Sequence, residues 1–179
     1  MPLKIKKLTP KIILISADTQ SELNETFIRF QEYYESPEWQ GKIFTLGQYR
    51  KWYAETTGAF SYNTDWSGFN LPGDSLKPFI QGLFDPLTPN EQQIVDWFKD
   101  RTDTFAFIGA QPDGQALEHE LCHALWATEP DYKAECHEIV WNHAESDEWA
   151  PLKDWILTGG YNESVLLDEL HAYVSADRD

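Results

Sequence analysis

Residues 115–127 read QALEHELCHALWA, and the spacing inside this stretch governs how the rest of the chain is read. Leu117, Leu121, Ala124 and Leu125 recur at the interval of one helical face. At about 100° per residue, His119 and His123 fall one turn apart and roughly opposite that face. The spacing predicts a helix whose leucine side packs on a core and whose histidine side meets a cleft. Two imidazoles one turn apart can reach a single cation. Glu120, beside them, is placed to accept a proton from water rather than to ligate.

Outward from the motif, Pro112-Asp113-Gly114 turns the chain into the helix, and Pro130 blocks its extension. Upstream, Thr104 to Ile108 reads as a strand, as does the β-branched run from Lys11 to Ala17. Helices are expected from Asp18 or Thr19 to about Tyr34 and from Leu46 to Thr56. Another starts at Thr88-Pro89-Asn90-Glu91, a capping box with Pro in the first position, and reaches about Asp100. The stretch 58–82, rich in Gly, Pro, Asn and aromatics, is expected to be ordered but irregular, forming one wall of a cleft. Downstream, helix is expected from Asp131 to about Asn142, at Asp154 to Thr158, and from Asn162 or Glu163 to Ser175. The whole chain of 179 residues reads as a single α+β domain, helix-rich, with a small sheet and the motif helix at its centre.

Catalytic zinc takes three protein ligands and keeps one position open. On the wheel of the last helix, Glu169 lies beside Val165, Leu166, Ala172 and Tyr173, turned partly inward. His171 projects about 200° away from it, so the two cannot readily serve one ion. Glu169 is therefore preferred to His171 as the third ligand. Nothing around His137 or His143 marks an inward face.

The motif helix, His119-Glu120-Leu121-Cys122-His123, resembles that of the zincin superfamily of metallopeptidases. With a carboxylate on a later helix, the chain is similar to the gluzincin type. The longer metzincin motif is absent, since Trp126 and Glu129 stand where it needs Gly and His. Around Glu169 the usual pattern also departs, with Asp168 before it and Tyr173 one turn after. The resemblance implies Zn2+ bound by His119, His123 and Glu169, with Glu120 as general base. It also implies a peptide or protein substrate held by an edge strand close to the motif helix, a place that Thr104 to Ile108 fits. Tyr173 and Tyr161 are the candidate donors to the oxyanion. Glu118, Asp168 and Asp65 are the candidates to orient the imidazoles.

Bulk composition narrows the partners. A net charge of −16 with pI near 4.5 repels a phosphate backbone, which argues against nucleic acid and suits a neutral or basic peptide. The lysines of the first seven residues resemble the start of a signal peptide, but the apolar run Ile12 to Ile15 is too short to complete one. No stretch approaches the length of a membrane span. Two cysteines make no disulfide framework, so a cytoplasmic setting is expected. Two other functions share these residues. Two His and a carboxylate also hold iron in Fe(II) oxygenases, usually on β-barrel strands, and few strands are expected in this chain. A metal-binding or interaction domain without catalysis would have no use for Glu120.

Overall fold

The structure, a computed structural model, describes residues 2–158 and 163–176. It opens with two strands, β1 (Lys4–Lys7) and β2 (Ile12–Ser16). Helix α1 (Gln20–Glu35) follows, its first turn capped by the Thr19 side chain accepting from the Glu22 amide. A capping box between Thr45 and Gln48 starts α2 (Leu46–Thr57), which ends at Gly58 in the left-handed conformation. Then come the single turn α3 (Tyr62–Asp65), strand β3 (Gly68–Pro72), the short α4 (Lys77–Ile80) and α5 (Pro89–Phe98). The predicted box of Thr88 and Glu91 caps α5. The chain continues through β4 (Ala106–Ala110), α6 (Ala116–Thr128), α7 (Pro130–His143) and α8 (Ala150–Thr158). A 3-10 turn at Glu163–Val165 leads into α9 (Leu166–Ala176). The α+β class expected from the sequence is the one observed.

The four strands form one mixed sheet in the order β1-β2-β4-β3. β2 and β4 run parallel at its centre, and β1 and β3 are antiparallel edges. All five residues of β2 and of β4 are buried, because helices cover both faces of the sheet. On one face, Ile13, Ile15, Phe107, Phe69 and Leu71 pack against Phe27 and Phe30 of α1 in an aromatic core. On the other, Ile12, Leu14, Ala106, Ile108 and Ala110 receive α6 through Leu117, Leu121, Ala124 and Leu125. A third cluster joins Val140 of α7, Ile156 of α8 and Leu170 of α9. The motif helix therefore lies between the sheet and the C-terminal helices.

Two strand expectations are corrected. Thr104 to Ile108 is expected at the sheet edge; the strand is Ala106–Ala110 and sits in the interior between β2 and β3. Its apolar residues on both faces demand cover on both sides. The edge beside α6 is β3, inside the stretch expected to be irregular. Its Gly, Asn and Pro weaken the strand signal, and Pro72 is tolerated because an edge strand does not need every N–H. The other edge, β1, carries three lysines in four residues, a pattern that discourages pairing with another chain. No helix among the described residues is long and apolar enough to cross a membrane.

One buried ion pair ties the aromatic core together. Arg29 Nε donates to Glu91 Oε1 at 2.7 Å, and its Nη1 donates to the Phe84 carbonyl at 2.7 Å. Both side chains are almost wholly buried. Glu91 also accepts from the Thr88 amide to cap α5, so the pair joins α1 to the start of α5. Arg29→Met strands a buried carboxylate and is expected to lower stability by about 3–5 kcal/mol in urea unfolding. Adding Glu91→Gln in the same background removes the stranded charge and should recover part of that loss.

Candidate metal centre

Packing of α6 on the sheet decides where the histidines go. With its leucines on β2 and β4, His119 and His123 are turned toward α9, and their side chains keep only 15% and 11% of their surface. Their Nε2 atoms are 3.1 Å apart, and the rings meet edge to face. Glu169 reaches the same point from α9. Its Oε2 lies 3.9 Å from His119 Nε2 and 3.7 Å from His123 Nε2. These three residues form a group whose ligand atoms lie within 4.8 Å of one another and could hold a metal ion. Two ligands on a tetrahedral zinc at about 2.0–2.1 Å are about 3.3 Å apart, so the triangle fits with small adjustments. Glu169 Oε2 is buried and has no hydrogen-bond partner. A buried carboxylate oxygen left unpaired is costly, and a cation between it and the imidazoles removes that cost.

Asp168 supports the site from behind. Its Oδ1 lies 3.0 Å from His123 Nδ1, a contact that favours a proton on that nitrogen and, when the ring is neutral, leaves Nε2 as the ligand atom. Of the three residues expected to orient the imidazoles, Asp168 is the one that the structure brings to a ring. Asp65 instead accepts from Ser61 and Tyr53 near α3, and Glu118 is an exposed residue of α6. Asp65 is thus engaged by α2 and by the start of its own helical turn, and Glu118 faces solvent one position before the first ring.

Glu120 lies under β3. A Cβ at Gly68 would come within 2.8 Å of both Cγ and Oε1 of Glu120 and 3.0 Å of the Ala116 Cβ. Any side chain there would have to push Glu120 aside, so glycine is what lets the edge strand lie this close to it. Tyr173, one turn after Glu169, sets its ring against His119 with centroids 4.6 Å apart. Tyr161 lies outside the described residues. His171 is not brought to the ligand group; it is buried against Trp126.

The electrostatics follow from burial. Desolvation pushes the Glu120 carboxyl up to about 7, with Glu169, Glu35 and Asp168 adding to the rise and His123 opposing it. Desolvation likewise pushes Glu169 up to about 7. Burial works against charge on His123, but the Asp168 contact and the nearby Glu169 and Glu120 outweigh it and raise that imidazole to about 9. Asp168 is opposed by burial too, yet His123 and His171 hold it below the usual carboxylate range. A charged His123 carries a proton on each nitrogen, one facing Asp168 and one facing His119. In the metal-free protein, protons thus occupy the gaps between groups that would otherwise repel.

No family model, curated protein or solved structure matches this chain.

Glu120, Glu169 and His123 all have folded-state pKa values above their unfolded ones. Each contributes stability that is complete below its unfolded pKa and lost as pH rises through the folded one. Metal-free protein is therefore expected to lose thermal stability from about pH 5 to pH 9. Added zinc should flatten the profile and bind more tightly as pH rises, because it displaces the same protons. Melting scans across that range with chelator or with zinc check both, and a metal-free profile that rises with pH would contradict the assignment.

Proposed function

We propose that the chain is a zinc-dependent hydrolase of peptide bonds, with His119, His123 and Glu169 as ligands and Glu120 as general base. The observation that carries the reading is the convergence of two Nε2 atoms and one unpaired, buried carboxylate oxygen beside a second buried carboxyl poised near neutrality. A structural site would have no need of that second acid. When bound, zinc would act as a Lewis acid that lowers the pKa of a coordinated water toward about 7. The rest of the chemistry belongs to this chain. Glu120 accepts the proton of the attacking water as the new C–O bond forms, then delivers it to the amide nitrogen as the C–N bond breaks. The Tyr173 phenol, beside His119, is the candidate donor to the developing oxyanion. Asp168 keeps the His123 ring in one tautomer throughout.

Peptide is favoured as the substrate class by β3. This strand is an antiparallel edge, and its first residue touches Glu120. An extended chain adding to that edge would carry its backbone past the base. The charge of −16 favours neutral or basic chains over nucleic acid. Neither cysteine is in a disulfide, which suits a reducing, cytoplasmic setting.

Elemental analysis of the purified protein tests the metal and separates zinc from iron. One zinc per chain is expected, lost in His119→Ala and in His123→Ala. Glu120→Gln is expected to keep its zinc while cleavage of a mixed peptide library falls about 10²–10⁴-fold. Stoichiometric iron, or zinc that survives both histidine changes, would overturn the proposal.

A further inference from the structure

Behind Asp168 sits a second buried imidazole. His171 keeps only 2% of its surface and packs its ring on Trp126 of α6, with centroids 5.1 Å apart. The hydroxyl of Tyr132, on α7, lies 2.7 Å from His171 Nε2. His171 Nδ1 faces Asp168 Oδ1 at 3.9 Å, about 0.7 Å beyond hydrogen-bond reach, and has no hydrogen-bond partner. The same Asp168 oxygen is 3.0 Å from His123 Nδ1. An unpaired buried donor is costly, so this side chain is not explained by packing alone.

The proton positions follow from the partners. A lone pair on His171 Nδ1 would point at a carboxylate, so Nδ1 carries a proton. In the neutral ring, Nε2 is then the acceptor and Tyr132 donates to it. Asp168 Oδ1 is thus faced by two imidazoles, by His123 Nδ1 at 3.0 Å and by His171 Nδ1 at 3.9 Å, and it has no hydrogen-bond partner of its own. Asp168 is a partly exposed side chain that could otherwise turn to water. Two imidazoles that face one carboxylate oxygen favour its staying there, by charge rather than by a made hydrogen bond.

We propose that Tyr132 and His171 are positioning residues of the candidate metal centre, holding Asp168 so that it fixes the His123 ring with Nε2 aimed at the cation. The inference rests on the metal-centre reading above. It makes α7, which supplies no ligand, a determinant of metal affinity. It also gives the C-terminal helix pair a role beyond carrying Glu169.

The test uses the full chain, with zinc affinity read by chelator competition and the ligand field read from the d–d absorption of the cobalt(II)-loaded protein. His171→Gln keeps an amide near the Nε2 position and offers nothing to Asp168. His171→Asn puts an amide N–H near the Nδ1 position. The Gln variant is expected to weaken zinc about 10–100-fold and to alter the cobalt bands. The Asn variant should recover most of that loss, a rescue that simple filling of space would not give. Tyr132→Phe, which removes a single hydroxyl, should weaken zinc several-fold, and it decides the matter if either His171 variant fails to fold. Wild-type affinity and cobalt spectrum in Tyr132→Phe and in a folded His171→Gln would overturn the inference and leave the metal centre standing. A wild-type chain that binds no zinc, or whose affinity is unmoved by His119→Ala, would overturn the centre and the inference together.

Discussion

The seating of α6 on the sheet is the constraint on which the rest depends. Ala106 and Ala110 give that face of β4 a shallow floor, and Leu117, Leu121, Ala124 and Leu125 fill it. Because the apolar stripe is fixed, the direction of His119 and His123 is fixed as well, by the 3.6-residue period alone. The C-terminal helices then complete the layer. Leu170 is buried in their own cluster, and its neighbour Glu169 is consequently turned toward the two rings. Apolar packing on two sides of one helix thus brings three polar atoms together that would not gather on their own account.

That gathering is electrostatically expensive. Glu120, Glu169, Asp168 and, at the end of α1, Glu35 act on one another around His123. Only a proton or a cation makes the arrangement tolerable in a low-dielectric setting. The aromatic half of the molecule, with its sealed Arg29–Glu91 pair, supplies the stability against which such a cluster can be held. The apolar mass lies mainly on the α1 face of the sheet and the candidate ligands on the α6 face, with Glu35 at the end of α1 acting on the latter.

What could be read from the sequence was what short-range periodicity encodes. The motif helix, its two faces, the capping box of α5 and the inward turn of Glu169 all follow from residues within a few turns of each other. The α2 box, Thr45 with Gln48, carries a signal of the same kind. The interior position of β4 also had a visible signal, since Ala106 to Ala110 has no polar side chain at any position. β3 had none, because a strand of Gly, Asn and Pro is defined by its neighbours rather than by propensity. The choice of Asp168 over Asp65 and Glu118 was equally beyond a one-dimensional reading, as it depends on which helix ends up across from His123. His171 was separated from Glu169 by the helical wheel, but what occupies the space it points into is decided by α6 and α7.

The closure of Gly68 over Glu120 sets a polarity for anything bound there. β3 runs from Gly68, against Glu120, to Pro72, away from it. A guest chain lying antiparallel to this strand would have its amino-terminal portion beside Pro72 and would travel toward Gly68. The bond presented to the carboxyl group would then be preceded, along the strand, by the residues already paired, and the portion beyond it would emerge past the edge unheld by the sheet. Recognition through the backbone would fall on the acyl side of the cut, leaving the amine side to the helices.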